Sequence, residues 1–504
     1  MKKTLLLFVV ALSSTLLSAQ NITDALRYSV EDSNGTARYQ GMSGAFGALG
    51  GDFSAMRINP AGSAVFLNSA ASVSFSINDI VNETTFNSSQ QKRIDTDVDL
   101  NQLGGVFVID IQQEDSAFNK VTIGLNYDVN RNFSNQITAR GTSNTSLANF
   151  FAAQAEGIPL DLLQLQNGET IGSLYRYLGQ TEGTAAQNAL LGYQGFIIDP
   201  TNPDNLNNTT YLSNVVAGDV NQLYTKLTEG ANSKFTVNVG TQIENDYYIG
   251  VNLNSHSIDY RERTYNFESN NLAGSSITSI GFENNLAVYG NGFSAQIGGI
   301  AKFDNIRVGL SLDTPTWYDI SEETSQALET TRREGDQILN TFVNPQSINV
   351  FSDYYLKTPG KITGSAAYIF GKSGLISVDY SYKDYANVKF DSDFDEAIFD
   401  FQNSIIENTL KGASSIKVGG EYRLNNFSFR AGGRYEESPY QDETTAGDLT
   451  GFSLGLGYNF GRYNFDVSYA RAQRDSIESA IGFADNFTNE QIFNNVGFTF
   501  STNF

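Results

Sequence analysis

Phe452-Ser453-Leu454-Gly455-Leu456-Gly457-Tyr458-Asn459-Phe460-Gly461-Arg462-Tyr463-Asn464-Phe465-Asp466-Val467-Ser468-Tyr469-Ala470 holds the pattern on which the fold turns. Leu454, Leu456, Tyr458 and Phe460 alternate with small or polar residues. Gly461-Arg462 interrupts, and Tyr463, Phe465, Val467 and Tyr469 resume the alternation. Period two means a strand with one apolar and one polar face. A two-residue interruption means a tight hairpin.

The same pattern recurs outward from this hairpin. Val121, Ile123, Leu125, Tyr127 and Val129 alternate with polar residues, as do Phe235, Val237, Val239 and Ile243. From Ala70 onward the chain reads as about fourteen strands. A soluble sandwich also alternates, so the connections decide. Glu244-Asn245-Asp246, Asp304-Asn305, Asn425-Asn426 and Gly461-Arg462 are short turns. Between them fall long links: Thr142 to Ala231, Asn270 to Asn284, Thr316 to Thr358, Asp391 to Lys411, Ser438 to Asp448 and Asp475 to Glu490. Short turns on one side, long loops on the other and an even strand number define a transmembrane antiparallel β-barrel of the bacterial outer membrane. The last strand agrees: Val496, Phe498, Phe500 and Phe504 share a face, and a terminal Phe resembles the signal read by the barrel-assembly machinery.

Composition fits an all-β chain of this kind. Tyr 26 and Phe 35 stand against Trp 1, Pro 8 and Cys 0. Without cysteine there is neither a disulfide frame nor a thiolate metal site, and His 1 leaves little for histidine ligation or acid–base work. The net charge of -23 repels nucleic acid. Mean hydropathy is -0.28, as expected where only alternate residues meet lipid. The acids of Asp391 to Glu396 read as a solvated loop. EF-hand spacing and its glycine are missing, which leaves the calcium-loop alternative weak.

The first residues give the address. Lys2 and Lys3 precede an apolar run from Leu5 to Leu17, and Ala19 closes a small-residue cleavage point. Residues 1–19 are therefore expected to be a secretory signal peptide. Residues 20–68 differ from everything after them. Gly41 to Asp52 is glycine-rich and has no strand period, and Asn59-Pro60-Ala61-Gly62 follows. No phosphate-loop spacing is present. Irregular backbone of this kind survives at membrane depth only inside a protein lumen. The expected organisation is signal peptide 1–19, N-terminal hatch 20–68 and barrel 69–504, with the longest outer loops at 141–231 and 316–358. The first of these loops is expected to be helical around Leu147 to Glu156 and Ile171 to Leu191.

Asp24-Ala25-Leu26-Arg27-Tyr28, Gly41 to Asp52 and Asn59-Pro60-Ala61-Gly62, taken in order, resemble the hatch of the FadL-type outer-membrane transporters. Leu356 to Ile362 resembles that family's strand-opening Thr-Pro segment, and Ile416 to Leu424 and Arg434 to Pro439 are similar to its late strands. The resemblance implies a fourteen-strand barrel with its lumen plugged by the hatch, and Asn59, Pro60, Ala61 and Gly62 as the hatch motif. It also implies passive uptake of small hydrophobic molecules such as long-chain fatty acids or aromatic hydrocarbons. The expected partners are that ligand, outer-membrane lipids and the assembly machinery. No cofactor, metal or nucleic acid is expected, and no enzymatic activity. The alternative is a barrel serving as carrier or interaction partner in protein secretion. A rim enzyme acting on lipids would need a serine–histidine or paired-acid site that one histidine makes hard to build.

Counting back from the Asn425-Asn426 turn places charges on the inner face. Glu421 meets Arg430, an ion pair. Lys417 meets Arg434, two cations side by side, which is unfavourable without an anion. The offset is either a protein acid such as Asp379, Asp466 or Asp52, or a ligand carboxylate. Lys417, Arg434 and Arg430 are thus candidate luminal contacts. Across Asp304-Asn305, Lys302 and Arg307 form a second basic pair, expected to dock the hatch. His256 also falls on an inward phase, as a hydrogen-bonding filler.

Overall fold

A computed structural model describes residues 22–111, 116–393, 396–482 and 486–504. The signal-peptide expectation lies outside the described residues. Fourteen antiparallel strands close into a barrel, the first pairing with the last. In order they are Ala70–Phe86, Ser89–Asp110, Phe118–Asn132 continued by Asn135–Ser143, Val220–Ile243, Tyr247–Ser269 and Ile277–Phe303. The seventh is Ile306–Asp313 continued by Trp317–Glu334. The eighth returns in pieces, Gln337–Val343, Asn349–Val350, Tyr354–Lys357 and Lys361–Ile369. Then come Gly374–Asp384 continued by Lys389–Asp391, Gly412–Leu424, Phe427–Glu436, Leu449–Asn459, Tyr463–Glu478 and Phe487–Asn503. The amide of Phe504 donates to the carbonyl of Ser69 at 2.9 Å, at the barrel's closing seam.

The strands exceed what a bilayer needs. A spanning strand takes about 9–11 residues, yet the sixth has 27. The fifth strand shows where lipid ends. Its outward residues are Tyr247, Ile249, Val251 and Leu253, then Ser255, Ser257, Asp259 and Arg261. Its inward residues change in the opposite sense, from Asn252, Asn254 and His256 to Ile258 and Tyr260. The seventh strand repeats this, with Asp319 outward and Tyr318 and Ile320 inward above Trp317. Below that level the wall is apolar outside and polar inside. Above it the polarity inverts, because water now lies outside and an apolar core inside.

This inversion explains where the sequence reading fails. The stretch 316–358, expected to be a long loop, is a hairpin turning at Gly335-Asp336, where Gly335 has φ +59°. With both its faces outside the bilayer, Ser321 to Arg333 loses the apolar-out alternation by which strands were recognised. The loop expected over 270–284 is likewise shorter, since the sixth strand begins at Ile277.

Helices account for the rest. Within the hatch run α1 (Ile22–Arg27), α2 (Ala37–Gln40) and α3 (Ala55–Ile58). The link between the third and fourth strands, residues 144–219, carries α4 (Leu147–Ala155), α5 (Ile171–Thr181) and α6 (Thr184–Gln194). Thr170 and Ser173 form a capping box at the start of α5. This cap has its own apolar core, seated on Ile277, Phe282, Leu328 and Val343 of the tall strands. A further helix, α7 (Glu396–Thr409), lies in the long link expected from Asp391 to Lys411, behind the acids of Asp391 to Glu396.

The polarity switch yields a testable contrast. Leu310 faces lipid at mid-height and Ser257 faces outward above the switch. In urea titrations of protein folded into vesicles, Leu310→Arg should cost about 2–4 kcal/mol, the range for a cation at the bilayer midplane. Ser257→Arg should stay within about 0.5 kcal/mol, as ordinary surface changes do. Equal costs would put the bilayer elsewhere on the wall.

Candidate functional site: a plugged lumen below an apolar chamber

The hatch fills the lower lumen. Its backbone is irregular, so its amides and carbonyls need partners that a regular element would supply internally. The polar lumen face supplies them. Asn252, Asn238, Gln296 and Ser311 donate to the carbonyls of Met56, Pro60, Arg57 and Ile58 at 2.8, 2.9, 3.0 and 2.7 Å. Asp379 accepts from the amides of Phe46 and Gly47, both at 2.9 Å. Asn59 is the centre of the expected motif. Its Nδ2 donates to the carbonyl of Gly47 at 2.8 Å and to that of Gly299 at 3.0 Å, and its Oδ1 accepts from the amide of Ala61. That last bond caps the short 3-10 helix Pro60–Val65. The wall makes room with glycine: a Cβ on Gly298 would stand 2.1 Å from Asn59 Oδ1, and one on Gly250 2.4 Å from the backbone of Pro60. Gly62 packs its Cα against Gly50 inside the hatch.

The basic residues divide. Arg307 donates to the carbonyl of Leu49 at 2.7 Å and so touches the hatch. Lys302 instead lies 3.7 Å from Asp246 of a short turn. Arg430 is fully engaged, with Nε on Glu421 at 2.7 Å and Nη1 on Asp466 at 2.6 Å. Glu421 also holds Arg423 at 2.6 Å and the hatch residue Arg38 at 2.9 Å. Sequence reasoning missed Arg38, because the hatch has no periodicity from which to infer its facing. Lys417 and Arg434 stand opposite each other as counted. Asp379 is opposite Lys417 on the other neighbouring strand, and Glu436 lies 3.5 Å from Arg434. Protein acids therefore flank both cations. His256 bonds to Ser294 Oγ at 2.9 Å and lies edge-on to Tyr318.

Above the plug lies a polar cavity of about 90 Å³, lined among others by Glu31, Lys361, Lys383, Lys417, Glu436 and Arg474. Glu31 bonds to Lys361 at 2.9 Å. Burial opposes its charge, but Lys361, Lys383, Arg57 and Lys234 together hold its carboxyl well below the usual range. Among the described residues the Nε of Arg474 and the Oγ of Ser415 have no hydrogen-bond partner.

Higher still the lumen becomes apolar. Phe133, Ile258, Tyr260, Tyr318, Ile320, Tyr354, Leu356 and Phe390 form a chamber, roofed by Phe399, Ile406 and Leu410 of α7 and its C-terminal flank. Ala25, Leu26 and Tyr28 of the N-terminal segment occupy it. Tyr28, Phe133 and Tyr260 meet edge to face, with centroids 6.1, 6.4 and 5.1 Å apart. Arg27 lies over the Tyr260 ring at 4.0 Å and pairs with Asp24 and Glu262. The sequence does carry a signal for this chamber: the inward residues turn apolar at Ile258, Ile320 and Leu356.

One side of the chamber adjoins a seam in the wall. The second and third strands pair from Asp110↔Lys120 only up to Gln102↔Asp128, and the third strand then breaks at Phe133-Ser134. Across the gap Asn132 Nδ2 donates to Asp97 and Asp99, and Ser134 Oγ to Asp97 at 3.0 Å. Outside it opens a cavity of about 380 Å³ that includes Asp97, Asp99, Asn132, Ser134 and Gly230.

These features define the class: an N-terminally plugged, fourteen-strand barrel of the outer-membrane type. No protein-family model and no curated protein matches the chain by sequence. Solved structures match its fold. A FadL homologue of Pseudomonas aeruginosa aligns over 94% of this chain and 98% of its own at 11% identity, TM-score 0.50. The toluene transporter TodX of P. putida aligns over 94% and 99% at 12% identity, TM-score 0.51. The chain therefore has the FadL-type fold.

The Glu421 cluster gives a stability test. Removing its charge leaves the guanidiniums of Arg38 and Arg430 short of an acid in a buried site. Glu421→Gln should cost about 3–5 kcal/mol, as broken buried pairs do, read as loss of the unheated compact gel form at lower urea. An unchanged midpoint would mean that Asp466 alone suffices.

Proposed function

We propose that this protein mediates passive uptake of small hydrophobic molecules, binding them in the apolar chamber and releasing them at the seam between the second and third strands. The observation that carries the reading is the inverted wall: an apolar cluster packed around α1 stands above a lumen that is polar and plugged. An apolar solute gains about 25 cal/mol for each Å² buried in such a chamber. It has no comparable path through the hatch, where asparagines, serines and ions line the way. Phe133 belongs to the chamber and directly precedes Ser134 at the seam, so chamber and seam adjoin. Ligand entry requires α1 to yield its place. The toluene transport named for the P. putida relative points the same way.

Long-chain fatty acids and aromatic hydrocarbons both suit the chamber. For an acid, the carboxylate would descend toward Lys417 and Arg434 at the level of the polar cavity. Arg430, held by two acids, is not free for this role.

Uptake is tested by closing the seam. The chain has no cysteine of its own, so Asp97→Cys with Ser134→Cys gives a clean crosslink. Oxidation should abolish toluene entry into proteoliposomes while leaving toluene binding intact, and reductant should restore entry. Entry that survives oxidation refutes the seam as exit. Absence of any toluene or palmitate binding to the wild type refutes the uptake reading itself.

The carboxylate position has its own test. Arg434→Gln should weaken palmitate binding about ten- to a hundredfold, from the roughly 1.5–3 kcal/mol of a charge-assisted contact, and leave toluene unaffected. Lower thermal stability with unchanged palmitate affinity would make Arg434 purely a partner of Glu436.

A second reading, an interaction partner in protein secretion, draws on one observation. The segment Gln337–Val343 pairs only with the seventh strand among the described residues, and leaves Ile338 and Phe342 exposed at an open edge. A stably co-purifying polypeptide lost on Phe342→Asp would favour it over uptake.

A further inference from the structure

One row of outward-facing residues runs through register partners on five neighbouring strands. Ser255 is opposite Phe293, Phe293 opposite Trp317, Trp317 opposite Lys357, and Lys357 opposite Lys389. All five are exposed on the outer surface. The level is set on the seventh strand itself, where Leu312 is the last apolar outward residue below Trp317 and Asp319 is the first outward acid above it, and Lys357 is the direct neighbour of Trp317. Trp317 and the lysines beside it therefore lie where hydrocarbon gives way to head groups, on the long-loop side that faces outward. Tryptophan belongs at that level.

Two lysines directly opposite on one face have Cβ atoms about 4.5–5.5 Å apart and repel. Neither makes an ion pair or a side-chain hydrogen bond among the described residues. The same-face acids nearest by register, Asp319 and Asp391, are both opposite Tyr355, one pleat farther from the bilayer. A lysine ammonium at this depth is an efficient point-charge binder of phosphate. Its apolar stem lies along the wall while its head reaches the interface.

We propose that Lys357 and Lys389 together bind a phosphate group of a phosphorylated outer-leaflet glycolipid, with Trp317 packed at the border of its sugar and acyl chains. The site is on the outer wall, apart from chamber, hatch and seam, and does not depend on what the barrel transports. A bound lipid there neutralises a repulsive pair and anchors the tall seventh and eighth strands at the membrane surface.

Trp317 is the only tryptophan of the chain, so its emission reports on this row alone. Folded, detergent-purified protein is titrated with diphosphoryl lipid A, with fully dephosphorylated lipid A, and with inorganic phosphate. Diphosphoryl lipid A should change Trp317 emission at concentrations at least tenfold lower than the dephosphorylated lipid, and phosphate alone should have no effect. Lys357→Gln with Lys389→Gln should bring the two lipid curves together, while Lys357→Arg with Lys389→Arg should keep them apart. Each variant is first checked for the compact unheated gel form, and Lys302→Gln, on the opposite side of the membrane, serves as a control that should behave as wild type. Coincident lipid curves in the wild type, an unaltered separation in the glutamine double variant, or saturation by phosphate alone would each overturn the proposal. Should the glutamine variant fail to fold, the wild-type comparison of the two lipids and phosphate still decides.

Discussion

A barrel wall is one residue thick, so each strand position must serve either the lumen or the outside, and the solvent at that height decides which side is apolar. Within the bilayer the outside is hydrocarbon, and Leu253, Leu310 and Val378 face it. The lumen side is then left to Asn238, Asn252 and Ser311. Above the bilayer the same strands continue into water, and Ile258, Ile320 and Leu356 turn inward. Hatch and chamber both follow from this one switch. A polar lumen holds an irregular plug by its backbone, because each stray carbonyl finds an amide or hydroxyl. An apolar lumen above it has nothing to offer a backbone, and holds side chains instead.

The N-terminal segment spans both regimes. Near the periplasmic end its carbonyls are held by wall amides, and Arg38 is tied into the Glu421 cluster. At the top it presents Ala25, Leu26 and Tyr28 to aromatic walls, contacts without directional bonds, beside the Arg27–Glu262 ion pair and a bond from Arg131 to the Arg27 carbonyl at 3.1 Å. The two ends differ in how they are released. Polar, bonded backbone resists displacement, since every lost bond strands a buried group. An apolar helix face gives way to any solute that covers the same area. The short α1, six residues long, adds little stability of its own. The asymmetry places the movable part of the plug at the outer end and the fixed part below.

Much of this is legible in the sequence, for a physical reason. Where lipid lies on one side, alternation is forced, and the register follows from the turn. The pairings Glu421–Arg430 and Lys417–Arg434 are obtained by counting from Asn425-Asn426, and the structure has both. The cap helices α4, α5 and α6 lie close to where their composition places them. Where lipid is absent the rule lapses. Trp317–Glu334 and its return strand read as loop, because Glu322, Glu323, Thr324 and Ser325 put polar residues on both faces. α7 is missed behind the acids of its leading segment. Arg38 and Glu31 are invisible as partners of barrel charges, since a chain without period gives no facing. The sequence itself carries the phase reversal at Ser255, where a change of solvent moves the apolar residues from the outward to the inward phase.

The proposed ligand site is the apolar chamber under α7, in which α1 is packed. A crystal structure of the protein soaked with bromobenzene tests this most directly, since the anomalous signal of bromine marks the solute unambiguously. The bromine is expected among Phe133, Tyr260, Ile320 and Tyr354, with Leu26 and Tyr28 moved from their positions. Bromine found only on the lipid-facing wall, with α1 undisturbed at saturating solute, would contradict it.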